Sequence, residues 1–383
     1  MPLTGTAIHT EAPPLVDEPV ARCRYSAMAR KGSGMEFGVF HEFPSLAGRP
    51  DAEAFAEAFD IVDGAERWGL DVLWLAELHF DPERSILSSP MCIASAIAAR
   101  TRRIKIGVAV QVLPLGNPLR IAEEAATVDH ISQGRLIFGA GRSGVAKTYE
   151  AYNVPYAESK ERFAETLDIV RRAWTETGFS HTGKYFSFED VTVTPRPHQP
   201  EGPPIRIAAT SPDTFISIGQ MGKPIFIAIR HEDARQFAGA VETYRKAWRD
   251  AGHPGDGQVY LRAPGFLGAT AALARDQYEA SLTHYYRAQA RLLADSARRT
   301  GLAPTDKRYQ TAERLNTMTI DEAIQGSALI GTPDAVARKI ESLRDDMGLD
   351  GVLVEINCGG KVEHAHEMEA LRLLCQEVQP RFR

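Results

Sequence analysis

The chain of 383 residues contains only four cysteines, Cys23, Cys92, Cys358 and Cys375, and none stands in a CxxC pair. That spacing offers neither a zinc cluster nor a disulfide framework, and it suits a reducing compartment, so a cytoplasmic location is expected. No apolar run approaches the roughly 18 residues that a membrane-spanning helix needs. Residues 1–33 also lack the apolar core of a signal peptide. Positive charge is in short supply: 44 Lys and Arg against 50 Asp and Glu leave a formal charge of −6. Nucleic acid and anionic membrane surfaces require clustered cations, so neither is expected as a partner. Walker-type GK[ST] turns, a Ser-His-Asp order and clustered metal ligands are missing too, which leaves NTPase, hydrolase and metal-site readings without support. Residues 1–34 mix Pro, Thr, Glu and Arg without periodicity. They are expected to be a disordered or loosely docked extension, ahead of a folded domain at 35–383.

What the chain does have is strand-helix alternation. Hydrophobic content of 44% and charged content of 25% are those of a globular protein with a sizeable core. Residues 104–144, IKIGVAVQVLPLGNPLRIAEEAATVDHISQGRLIFGAGRSG, show the clearest unit. A β-branched, nearly continuous apolar run reads as a strand buried on both faces. Asn117 then caps a helix with Pro118 in its first turn, where a missing N–H costs nothing. Gly134 supplies a left-handed stop after Gln133, and a second buried strand follows at 136–140. Strand, crossover helix and strand make a βαβ unit and hence a parallel sheet.

The same alternation places further strands at 36–40, 71–76, 205–209, 225–229, 258–267 and 351–356. Helices are expected at 51–68, 90–99, 159–174 (with Ser159 as cap), 212–221, 233–250, 333–346 and 362–378. Two stretches break the rhythm: a glycine- and proline-rich hairpin at 178–204 and a long, largely helical segment at 270–330. Eight strands without a linker or repeat predict a single α/β domain, a (β/α)8 TIM barrel with insertions after strands four and seven. An open doubly wound sheet would use fewer strands and usually a glycine-rich turn after the first, which EFGVFHEF does not provide.

In such a barrel, chemistry collects where strands end and βα loops begin. That rule selects His41, Glu42, Glu77, His79, Gln111, Arg142, Thr210, Ser211, Glu355 and Asn357. Arg142 follows strand four in GAGRSG, a place for an anion clamp, and Ser211 can cap the helix that Pro212 starts, aiming N–H groups near Thr214 at the mouth. The same cap chemistry occurs at Thr332-Pro333-Asp334 with no ligand implied. His79 in LAELHF can serve acid–base chemistry or hold structure, with Glu77 orienting its neighbours. Tyr278, Tyr285 and Tyr286 recur at helical spacing, as a packing stripe against the barrel or as the lining of an apolar substrate space.

MEFGVF, WLAELHF, the 104–144 block, IRIAATSPDTF, LIGTPDAVARKI and DGVLVEINCGG, in this order, resemble the bacterial luciferase-like flavin monooxygenases from about Met35 to Arg383. The resemblance implies a two-component, FMN-dependent monooxygenase acting on paired donors. It would take reduced FMN (FMNH2) from an NAD(P)H-dependent flavin reductase and use O2 to oxygenate a small organic substrate, as a homodimer. By the same resemblance Arg142, Thr210, Ser211 and Thr214 bind the FMN phosphate. Ala109, Val110 and Gln111 support the ring on a bulged peptide, often cis in the family. Gly141 faces the reacting edge of the flavin, where the luciferase catalytic subunit has a cysteine, and leaves room there; Glu77 and His79 match the outer members of the EHHF signature. Leu78 replaces the first histidine of that signature. An F420-dependent oxidoreductase of the same fold, or a non-catalytic flavin-binding or pairing subunit, therefore stands beside the monooxygenase as an alternative.

Overall fold

The computed structural model describes residues 34–45, 48–209, 212–229 and 233–383. The N-terminal extension expected at 1–34 lies outside the described residues apart from Gly34. In chain order the elements are β1 (Glu36–His41), α1 (Asp51–Trp68), β2 (Val72–Leu75), α2 (Pro90–Arg100), β3 (Lys105–Val112), α3 (Pro118–Ser132), β4 (Leu136–Gly141), α4 (Ala146–Ala151) and α5 (Ser159–Thr175). There follow β5 (Phe179–Thr182), β6 (Ser187–Val191), β7 (Ile205–Ala209), α6 (Pro212–Gln220), β8 (Ile225–Ala228), α7 (Ala238–Asp250) and β9 (Val259–Leu267). The chain closes with α8 (Ala271–Arg299), α9 (Lys307–Thr317), α10 (Ile320–Gln325), β10 (Leu329–Gly331), α11 (Pro333–Met347), β11 (Gly351–Glu355) and α12 (His364–Leu373).

Eight strands pair in parallel, in the order β11-β1-β2-β3-β4-β7-β8-β9, and β9 pairs with β11 to close the barrel. The short β10 extends the far end of β9, with Leu329 opposite Gly265. The antiparallel β5–β6 hairpin stands outside the barrel between α5 and β7, and α8 to α10 with β10 lie between the seventh and eighth barrel strands. Local chemistry explains the boundaries. Asn117 accepts hydrogen bonds from the Leu119 and Arg120 N–H groups, Gln133 and Gly134 both adopt left-handed backbone at the end of α3, and Gly69 does so after α1.

Two details differ from the sequence reading. Ser159 does not cap α5: a 3-10 turn at Tyr156–Glu158 runs straight into the helix, and the Ser159 hydroxyl accepts from Arg142 instead. The closing helix is shorter, giving way to a wider π turn at Leu374–Val378 and a 3-10 turn at Gln379–Phe382.

The amino-terminal half of the barrel interior is filled. Trp74 lies across it, edge-on to Phe226 at 4.8 Å. Neighbouring strands make room with glycine, since a Cβ on Gly107 would come within 2.1 Å of the Trp74 ring. Below it Arg206 grips Glu36 through two bonds of 2.7 and 3.0 Å and covers the Tyr260 ring at 3.7 Å. With that end packed, open space is left at the carboxyl ends of the strands.

Candidate active site

A cavity of about 820 Å3, its mouth included, opens at this carboxyl rim. Its walls come from the ends of β1 (Phe40) and β2 (Ala76 to Leu78), from Ala109 and Val110 of β3, from Ser143 to Val145 after β4, and from α8 above. Such a position, where several βα loops meet, is where barrel proteins assemble their chemistry.

Glu77 organises one side. Its Oε2 accepts from the Val112 N–H at 2.7 Å and from Gln111 Nε2 at 2.8 Å, and its Oε1 lies 2.9 Å from His79 Nε2. A carboxylate with no donor of its own makes Nε2 the protonated nitrogen of His79. Nδ1 is left as the acceptor, 3.3 Å from the Tyr152 hydroxyl. The structure thus joins Glu77, His79 and Gln111 in one network at the cavity edge, with Tyr152, just after α4, as a member that sequence periodicity did not point to.

The β3 wall is irregular. Its register against β4 shifts between Val108 and Gln111, and the Ala109–Val110 peptide is cis. Gly141 lies against this bulge, where a Cβ would sit 2.3 Å from Val110 Cγ2. The space a side chain at position 141 would need is thus taken up by Val110, and the glycine is explained by the close approach of the Val110 side chain.

Arg142 follows directly. Tyr149 donates its hydroxyl to the Arg142 carbonyl, and Arg142 Nη1 donates to Ser159 Oγ at 3.2 Å. Arg142 forms no ion pair among the described residues. Because Ala140 pairs with Ile207 across parallel β4 and β7, the carboxyl ends of these two strands lie side by side at one rim, and Arg142 follows the first of them. Thr214 lies in the first turns of α6; Thr210 and Ser211 lie outside the described residues.

The opposite wall holds a largely buried quartet. Arg84 donates to Glu42 through Nη2 at 2.5 Å and Nε at 3.1 Å, and Arg262 donates to Glu42 at 3.2 Å and to Glu355 through Nε. Burial alone would raise the Glu42 carboxyl, but the charges of Arg84 and Arg262 hold it below its usual range. Glu355 shifts the other way: burial, seconded by the Glu42 charge, lifts it, and its Oε2 has no hydrogen-bond partner among the described residues. Glu42 and Glu355 were expected at the mouth; Arg84 and Arg262 were not. The signal for Arg262 was its place as the single charge in an apolar strand, VYLRAPGFL, whereas the 81–87 loop offered no periodicity for Arg84. His41 and Asn357 turn away from the cavity and bind α12, with Glu367 oxygens at 3.4 Å from His41 Nε2 and 2.7 Å from Asn357 Nδ2. The tyrosine stripe divides: Tyr278 stacks on Phe266 and donates to the Glu355 carbonyl, while Tyr285 lines the cavity.

A closed parallel barrel with a polar-edged cavity at its carboxyl rim defines a barrel enzyme in architecture. Residues 35–351 match the model of the luciferase-like monooxygenases, and the chain belongs to that family. It is 25% identical over 353 residues to limonene 1,2-monooxygenase of Rhodococcus erythropolis, covering 91% of this chain and 87% of that protein. It is 34% identical over 186 residues to F420-dependent glucose-6-phosphate dehydrogenase of Kineococcus radiotolerans, 46% of this chain and 54% of that protein. The chain spans about half the length of the relatives it matches at 32 to 34% identity. Among solved structures, the oxygenating constituent of 3,6-diketocamphane monooxygenase from Pseudomonas putida, in complex with FMN, superposes with a TM-score of 0.75. That likeness, at 19% identity and covering 91% of this chain and 99% of that one, is one of fold.

Proposed function

We propose that this chain is the oxygenase component of a two-component, FMN-dependent monooxygenase, supplied with reduced FMN by a partner reductase and acting on a small organic substrate. The observation that carries this reading is Arg142: a cation at the cavity rim, oriented by a neutral hydroxyl and left without a counter-ion among the described residues. The residues fit a phosphorylated, ring-bearing cofactor. Arg142, together with Thr210, Ser211 and Thr214, would hold the phosphate, and the segment from Ala109 to Gln111 with Gly141 would support the ring. Reduced FMN, when bound, supplies the electrons that activate O2. The chain contributes a pocket that excludes water and a histidine whose Nε2 proton is fixed by Glu77, leaving Nδ1 to exchange a proton with Tyr152 or the substrate.

Arg142→Ala should weaken reduced-FMN binding by about 1.5 to 3 kcal/mol, the scale of a hydrogen bond to a charged group. Anaerobic titration reads this directly, and unchanged affinity would remove the phosphate site. The F420-dependent relative motivates a second reading, hydride transfer without O2; the absorbance spectrum of the bound cofactor and oxygen uptake with supplied FMNH2 separate the two. Oxygen uptake that no substrate stimulates would favour the non-catalytic subunit, the alternative raised by Leu78 in place of the signature histidine.

A further inference from the structure

The wall opposite β3 carries polar groups to which the proposed cofactor site gives no role. Tyr285 reaches into it from α8 and is 2% exposed, yet its hydroxyl has no hydrogen-bond partner among the described residues. Buried hydroxyls are nearly always paired, so one that lines a cavity without a protein partner is placed to meet a ligand. Beside it lies Arg262, whose Nε and Nη2 are taken by Glu355 and Glu42 and whose Nη1 has no partner among the described residues. Its guanidinium is fixed over the Phe40 ring at 3.5 Å. Leu78, Leu292 and Leu293 supply apolar surface in the same enclosure.

We propose that the Tyr285 hydroxyl and Arg262 Nη1 form a subsite for an uncharged acceptor oxygen of the organic substrate, with the rest of that molecule against Leu78, Leu292 and Leu293. The assignment rests on the monooxygenase reading for calling the ligand a substrate. The charge count decides the class. Arg84 and Arg262 already face Glu42 and Glu355, so a carboxylate ligand would add a third negative charge to two positive ones. Tyr285 remains a donor because burial, then the Glu355 charge, push its phenol up.

The test is anaerobic calorimetry of three naphthalenes that differ only in the substituent: 2-acetonaphthone, 2-ethylnaphthalene and 2-naphthoate. The wild-type chain should bind the ketone about tenfold tighter than the hydrocarbon, and the carboxylate most weakly. Tyr285→Phe should lose about five- to tenfold for the ketone and nothing for 2-ethylnaphthalene. Its thermal midpoint should not move, since the hydroxyl bonds to no described residue. Absence of the ketone preference, equal loss for both neutral ligands, tightest binding of 2-naphthoate, or a fall in thermal midpoint would each overturn the subsite. Reduced-FMN titration of the same two proteins keeps the claims apart. A wild-type chain that ignores FMN sinks the flavin reading while the ketone contrast still stands, and a lost ketone contrast with FMN binding intact sinks the subsite alone.

Discussion

Two arginine regions share the carboxyl rim of this barrel and differ in what answers their charge. Arg84 is buried and Arg262 half-buried beside Glu42 and Glu355, and both are bonded through several of their nitrogens to these carboxyl groups. Arg142 is half-buried, meets one neutral hydroxyl, and has no carboxylate within ion-pair distance among the described residues. The comparison teaches that a cation marks an anion site only when the protein has left it unmatched. The quartet is a polar wall that fixes side chains, whereas Arg142, on the function proposed above, is a charge held for something brought from outside.

The strongest way to break the comparison is to unmatch the quartet. Glu42→Gln leaves two buried guanidinium groups facing one carboxylate and should cost about 3 to 5 kcal/mol of stability at neutral pH, read by urea unfolding. The folded Glu42 carboxyl lies below its usual value of 4.5. Its contribution is therefore full above that value and is lost as pH falls through the lowered one, so the wild type should destabilise on acidification more steeply than the variant. Glu355 has the opposite sign. Its folded value is raised, so holding its charge in the fold costs stability, and Glu355→Gln should cost less than Glu42→Gln, about 2 kcal/mol or below. If the two variants were equally destabilised, the quartet would not be divided as described.

Arg142→Ala is the converse perturbation. Removing an unmatched, half-buried cation should leave urea stability within about 0.5 kcal/mol while flavin affinity falls as proposed above. A large loss of stability would make Arg142 a structural residue and erase the contrast.

The barrel was legible because a strand buried on both faces, a capped helix and a left-handed stop each leave a local mark, as at 104–144. Arg142 was legible for the same reason: it follows a strand in a run of small residues. What sequence could not show depends on distant partners. Ser159 looks like a helix cap until the preceding turn and Arg142 are in place. Gly141 looks like an opening until Val110 fills the space, and Arg84 has no meaning without Glu42, 42 positions away. The division of the tyrosine stripe likewise follows from where α8 crosses the rim, which no periodicity contains.

The smallest expected effect tests how Arg142 is kept unmatched. Ser159 is 3% exposed and orients the guanidinium without neutralising it. Ser159→Ala removes one neutral acceptor, so reduced-FMN affinity should fall by only about 0.5 to 1 kcal/mol, with the rest of the site intact. Ser159→Asp keeps an acceptor in the same place and supplies the missing counter-charge; its first-turn position in α5 tolerates an acidic residue well. If being unmatched is what makes Arg142 an anion site, the aspartate variant should bind reduced FMN more weakly than the alanine variant, although it retains the hydrogen bond. Equal affinities in a side-by-side titration would show that orientation, and not free charge, is what Arg142 contributes.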